Sequence, residues 1–350
     1  MRPPQSSALL DHLCLGDRRP ELGGLARGCA AWGWIARRLS GVDVIAEVER
    51  SGLVESRHRG VAVRVDAEGA VIWAIGEPDT VIYPRSTNKP FQALAMLRAG
   101  LPLTDEHLAL AAASHSAEPF HLAAVREVLG RAGLTEEALQ TPPSYPADPH
   151  EHANVLRAGG GRLRIRHDCS GKHAAMLLTC VENGWSTHDY LDSEHPLQQA
   201  ITEVFSELTE GRPPVIGIDG CGAPQHATSV RHLATGIARI AQAPDGTHEA
   251  RLRDAMMTHP TYVSGTRRGE ARFMTEMPGV LAKSGAEAVF VVGLPDGTAI
   301  VVKVEDGGER ALLAVAGRAV ELAGWSAPVL TERPAVLGGG EPVGEIRVAF

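Results

Sequence analysis

The sequence predicts an α+β fold: one antiparallel sheet built from both chain ends, with a largely helical insert between them. Two observations carry this. β-prone runs gather in the first third of the chain and again in its last quarter. Between them the apolar residues recur at helical spacing. The boundaries that follow are a sheet part at about 43–104 and 280–345, a helical part at about 105–279, and an extension at 1–42. On this reading 43–345 is one domain.

Residues 1–42 mix Pro, Gly, Arg and scattered apolars without a period, and read as an extension outside the core, partly helical around Ala26–Leu39. From Gly60, "VAVRVDAEGAVIWAIG" gives two β-rich runs around Asp66–Gly69, a hairpin signal. "TVIYP" is a third short run. It leads into "NKPFQALAMLRAG", where Phe91, Leu94 and Leu97 keep helical spacing and Gly100 ends it. "TDEHLALAAAS" and "EPFHLAAVREVLGRAG" are amphipathic helices, and "TPPSYPADPHEH" is a proline-rich loop. "SGKHAAMLLTCVENG" and "SEHPLQQAITEVFSELTEG" read as helices with Ser170 and Ser193 as N-caps. A short β run, "PVIGIDG", and two helices, "RHLATGIARIAQA" and "EARLRDAMMTHP", follow. "AVFVVGLPDGTAIVVKVED" is two strands across Pro295–Gly297, and a helix spans about Glu309–Ala323. The last 25 residues are too mixed to assign.

Composition excludes several classes of function. The chain has 350 residues, 44% hydrophobic and 22% charged, with a formal net charge of −8. That charge and the lack of basic runs interleaved with aromatics argue against a nucleic-acid surface. No apolar stretch approaches the roughly 20 residues of a membrane span. The N-terminal segment lacks a signal-peptide pattern, and "CAAWGWIA" is cut by Gly33. Five cysteines, odd and sparse, fit a reducing cytoplasm better than a disulfide scaffold.

Lysine usage is more informative. Of 34 basic residues only Lys89, Lys172, Lys283 and Lys303 are lysines. An amine can lose its proton when buried and act as base or ligand, which a guanidinium cannot. Lys89 stands three residues after Ser86 in "YPRSTNKPFQ". Residues i and i+3 share a helix face, so the amine can reach the hydroxyl and, if neutral, take its proton. Serine caps helices just as readily, and Ser-x-x-Lys alone leaves both roles open. "AASHSAEPFH" adds Ser114 and Ser116, and "LAKSGAEAVFVV" adds Lys283-Ser284-Gly285 just before a strand. "DCSGKHAAM" and "IDGCGAP" bring Cys169, Lys172, Asp219 and Cys221. Thiolates are zinc ligands, whereas lysine ligates only as the neutral amine; two buried cysteines and a helix-start lysine account for the same residues without a metal. His150 and His152 read as a solvated loop pair. His115 and His226 read as structural hydrogen-bonders.

Ser-x-x-Lys, a serine loop and Lys-Ser-Gly occur here in the order used by penicillin-binding proteins and class A β-lactamases. As a set, "VDVIAEVERSGLVESRHRG", "PRSTNKPFQAL", "ASHSAEP", "DCSGKHAAML", "GIDGCGAP", "HPTYVSGTRR", "AKSGAEAVF" and "VVKVEDG" resemble the rhizobial-type (class 3) L-asparaginases, the "L-asparaginase II" family. The resemblance implies a serine β-lactamase-like fold and hydrolysis of L-asparagine to L-aspartate and ammonia through a serine acyl-enzyme. It implies two Ser–Lys tandems, Ser86 with Lys89 and Ser114 with Lys283. It puts zinc on Cys169, Lys172 and Cys221, with Asp219 beside them, and substrate contacts on Arg85, His173, Asp219 and Arg268. A cytoplasmic homodimer acting on a small molecule is the implied setting. The family usually shows Gly-Thr-Gly-Arg where this chain has Gly265-Thr266-Arg267-Arg268, and residues 1–42 have no counterpart. A penicillin-recognising serine hydrolase on another amide, and a non-catalytic metal-binding protein on the same fold, are the alternative readings.

Overall fold

The computed structural model of the chain describes residues 41–350. The expected helical stretch around Ala26–Leu39, and the extension up to residue 40, lie outside the described residues. The first strands are β1 (Asp43–Arg50), β2 (Leu53–Val65) and β3 (Val71–Ile75). β4 (Val81–Ile82), β5 (Ile216–Ile218), β6 (Pro224–His226) and β7 (Thr228–Ser229) form two small ribbons, β4 with β7 and β5 with β6. The chain closes with β8 (Leu281–Gly285), β9 (Val289–Gly293), β10 (Ala299–Val304), β11 (Ala335–Gly338) and β12 (Glu341–Val348).

These two end groups make one antiparallel sheet in the order β11-β12-β1-β2-β10-β9-β8, with β3 also on β2. The fold class is α+β, with the sheet drawn from both ends as expected. The seam between the ends is the β2–β10 pair, where Val63 faces Val301 and Ala62 faces Val302. Val61, Ala62 and Val63 are consecutive and all buried, as is every residue of β9. Strand side chains alternate between faces, so such runs need cover on both sides. The helices Val230–Ala241 and Leu312–Leu322, which both pack on β9 and β10, supply it. The helix Lys89–Arg98 is buried from Lys89 to Leu97 and anchors the helical part. No described helix is long and apolar enough to cross a membrane.

Several local expectations are corrected. The first strands start earlier than Gly60, because the charged residues of "EVERSGLVESRHR" hide the alternation of β1 and β2. Their turn is Ser51-Gly52 at φ 50° and 84°, the positive-φ pair that a tight hairpin requires. The proline-rich stretch contains a helix, Pro149–Arg157, whose N-cap Asp148 accepts from the Glu151 backbone N–H; His150 and His152 are therefore helical. The helix at Ser170 is preceded by Cys169 as N-cap, and Ser170 turns inward. The next begins at Pro196, capped by the His195 ring rather than by Ser193. Lys283-Ser284-Gly285 lies within edge strand β8, not before a strand. A helix at Gly269–Glu276 has no clear signal, and the mixed C-terminal segment forms β11 and β12.

Candidate active site

The turn between β4 and the Lys89–Arg98 helix is a single stretch of 3₁₀ helix, Arg85–Asn88. Arg85 is held at φ 53°, in the left-handed region that costs a non-glycine residue on the order of 1 kcal/mol or more. Such strain persists only where the surroundings enforce it. They do so here from two sides. The Arg85 Nε donates to Asp219 Oδ1 at 2.8 Å. From β8, Gly285 presses so close that a Cβ there would lie 2.8 Å from the Pro84 carbonyl and 3.1 Å from the Ser86 nitrogen. Glycine in Lys-Ser-Gly is thus what lets the edge strand abut the serine turn. Ser86 is 8% exposed.

The lysines converge on this turn. Lys89, the first residue of its helix, donates to the Ala113 carbonyl at 2.5 Å and to Ser114 Oγ at 2.8 Å. The structure thus links Lys89 to the serine of the other expected tandem. Ser86 Oγ makes no side-chain hydrogen bond to a described residue. Lys283, fully buried, donates to the Ser284 carbonyl at 2.7 Å and lies 3.6 Å from Glu270 Oε1. Burial lowers the Lys283 amine to about 8; Glu270 opposes this, and the charges of Lys89 and Arg268 add to it. Ser116, the second serine of "SHS", is not part of this group: its hydroxyl donates to the Ser264 carbonyl.

The cysteine cluster adjoins the same turn through Asp219. Its Oδ2 is 3.7 Å from Cys221 Sγ, to which Lys172 Nζ donates at 3.2 Å. Cys169, Lys172 and Cys221 are all buried. Contact with Cys169 lowers the Cys221 thiol; burial opposes this, and the Lys172 charge adds to it. Burial opposes a charge on Lys172 too, but the two sulfurs and Asp219 outweigh it and the amine is held protonated. Tyr190 OH accepts from the Gln140 backbone N–H and stands 2.8 Å from His173 Nδ1. His173 Nε2 is buried without a hydrogen-bond partner among the described residues, and burial opposes a charge on the ring and holds it down, although Cys221 favours one. Two thiols and an amine at one buried point suit zinc, provided Lys172 gives up its proton. His167, Asp168 and Cys169 also bring donor atoms within 4.8 Å of one another.

Arg268 lies 3.9 Å from Glu270, beside Lys283. The preceding loop is pinned by residues the motifs did not mark. Glu118 accepts from the Thr266 nitrogen at 2.9 Å and hydroxyl at 2.8 Å. Gly265, at φ 137°, is so close to Ser116 that a Cβ would overlap its hydroxyl. Arg267 reaches Asp148 and Glu151, each at 3.0 Å. Sequence reasoning also missed Asp168. Burial works against its charge, but Lys89 and a hydrogen bond from His167 hold the carboxyl well below its usual range. Glu118 and Asp168 sit inside "SHSAEP" and "DCSGKH", where they could have been weighed; Glu270 lies in no such pattern. His115 donates through Nε2 to Ser170 Oγ, whose own proton goes to the Ile165 carbonyl, and it accepts at Nδ1 from Ala117. Both ring nitrogens serve the framework.

A family model described as L-asparaginase II matches residues 46–348. That span takes in every side chain of the site and defines an amidohydrolase enzyme of the asparaginase type, acting on a small-molecule amide. The chain belongs to the L-asparaginase II family. Among curated proteins none matches it. Solved structures similar to it include a β-lactamase from Mycobacterium bovis, with a TM-score of 0.43, 14% identity, and 82% of this chain and 98% of that chain covered. Mglu in its native form has a TM-score of 0.43 and 15% identity, with 87% and 72% covered. EstCE1, a hydrolase with promiscuous acyltransferase activity, has a TM-score of 0.37 and 12% identity, with 80% and 93% covered.

Proposed function

We propose that the protein hydrolyses L-asparagine to L-aspartate and ammonia through an acyl-enzyme on Ser86. The observation that carries the reading is the strained, doubly braced turn that holds Ser86 between the Lys89 helix and the Lys283 strand. Ser86 Oγ attacks the side-chain amide carbon, and its proton passes to the Lys89 amine. The Lys89–Ser114 hydrogen bond supports Ser114 as a relay between the two lysines. Lys283, whose amine burial lowers to about 8, delivers the proton that leaves with ammonia as the C–N bond breaks. Backbone N–H groups of the serine turn hold the oxyanion, and water then cleaves the ester to release aspartate and restore the serine. Arg85 and Arg268 offer cations for the substrate carboxylate, and Asp219 an anion for its ammonium, with His173 nearby.

Cys169, Lys172 and Cys221 would hold zinc, which when bound supplies a Lewis-acid anchor for substrate. These side chains keep the pocket wall in place, and Asp219 ties that wall to the serine turn. The sparse cysteines and the family resemblance support a homodimer working in the cytoplasm.

The test is ammonia release from L-asparagine and L-glutamine by the wild type and Ser86→Ala, with zinc measured alongside. Wild type is expected to act on asparagine and to carry zinc. Ser86→Ala should lose on the order of 10³-fold or more in rate while keeping its fold. Undiminished activity in Ser86→Ala would sink the mechanism. An inactive wild type on both amides would favour another amide substrate.

A further inference from the structure

Lys283 is enclosed on all sides, and the carboxylate that answers its charge is not part of any motif. Glu270, 2% exposed, is the second residue of the Gly269–Glu276 helix. Its carboxylate lies 3.6 Å from Lys283 Nζ and accepts a hydrogen bond from the Ser284 hydroxyl. Lys283 and Ser284 are neighbours on β8, and successive strand side chains leave on opposite faces. Both reach the same carboxylate because β8 is the last strand of the sheet, and the Gly269–Glu276 helix packs against it.

We propose that Glu270 is a positioning residue for the reaction: with Ser284 it fixes where the Lys283 amine sits and which charge that amine carries. This rests on the reading of Lys283 as part of the catalytic group. The charges facing Lys283 fall into two sets. Lys89 and Arg268 push its proton off, whereas Glu270 and Asp168 hold it on. Of the two carboxylates, Glu270 forms the direct ion pair. A buried carboxylate is itself tenable only when paired, and here Lys283, Arg268 and Ser284 keep it ionised against the penalty of burial. Glu270 thus raises the amine's basicity through its contact with Lys283.

The chain's lysine economy makes the test direct. With ¹³Cε-labelled lysine the protein gives four side-chain signals, and Lys283→Met identifies the one of interest. In the wild type that signal should titrate with a midpoint near 8. In Glu270→Gln the midpoint should fall by about one pH unit or more, a tenfold change in proton affinity. Glu270→Asp, which withdraws the carboxylate by one methylene, should fall between the two and serves where the glutamine variant does not fold. The limb of the activity–pH profile that belongs to Lys283 should move acid-ward in the same order. A Lys283 midpoint that stays within about 0.3 units of wild type in a folded variant overturns the proposal. Failure to release ammonia from asparagine at any pH would instead count against the proposed function, and the titration would still decide the role of Glu270.

Discussion

At Arg85 a strained backbone and a half-buried ion pair meet in one residue. Its φ of 53° is unfavourable for any side chain that has a Cβ, so the Asp219 contact must hold the turn that carries Ser86. Asp219 in turn stands against Cys221, so one carboxylate joins the serine turn to the cysteine cluster. A hydrogen bond to a charged partner contributes about 1.5–3 kcal/mol. Asp219→Asn keeps the volume and removes the charge. It is expected to lower kcat/KM for asparagine about 10- to 100-fold, with far-UV circular dichroism unchanged. Arg85→Lys should be impaired as well, because an ammonium lacks the planar fork of the guanidinium. Full activity in Asp219→Asn would show that neither the turn nor the substrate ammonium depends on this charge.

At the level of elements, what the sequence disclosed depended on how regular each segment is. The long amphipathic helices and the β9–β10 hairpin at Pro295–Gly297 follow their periods, and the structure has them there. β1 and the start of β2 were obscured by charges on solvated strand positions, and the Asp148 cap was hidden among prolines. Of the site, the serines, lysines and cysteines were legible because their chemistry is uncommon. The carboxylates around them were not: Glu118 and Glu270 look like any surface acid until their burial is known, and Asp168 until its contact with His167 is. Arg267, where the family pattern has glycine, shows the same dependence on context. Its guanidinium ties the loop before Arg268 to the N-terminus of the Pro149–Arg157 helix, through Asp148 and Glu151. Arg267 is 40% exposed, so these pairs contribute on the order of 1 kcal/mol. Arg267→Gly should therefore raise KM for asparagine by about 3- to 10-fold and leave kcat within about twofold. Since ion pairs at the surface are screened, wild-type KM should move toward the variant's value in high salt. A KM equal to wild type at low salt would remove the loop tether from substrate binding.

For the molecule as a whole, acid sensitivity follows from histidines that the fold keeps neutral. Burial pushes His121 and His226 each down to about 4. Both are connectors. His121 Nε2 donates to the Thr261 carbonyl at 2.9 Å, joining the Pro119–Arg131 helix to the short one at Pro260–Val263. His226 contacts Thr202 at 2.8 Å and Asn88 at 3.4 Å, bridging the Pro196–Leu208 helix and the end of the serine turn. With the folded-state value below the ordinary 6.5, the unfolded chain binds protons that the folded chain refuses. Stability is then lost as pH falls from about 6.5 to about 4, by about 3 kcal/mol per histidine over the full window. Ordinary carboxylates titrate near or below pH 4.5, so most of the loss between pH 6.5 and 4.5 belongs to buried imidazoles. For a chain of this size about 1 kcal/mol corresponds to roughly 2 °C, so the melting temperature should drop by roughly 10 °C across that interval. His226→Gln, which keeps a hydrogen-bonding side chain but cannot charge, should show a shallower slope, with His115 and His121 among the buried imidazoles that carry the rest. Differential scanning calorimetry at pH 6.5, 5.5 and 4.5 measures both. A flat melting temperature from 6.5 to 4.5 would mean that protons reach these rings within the folded state, through openings at the helix junctions they join.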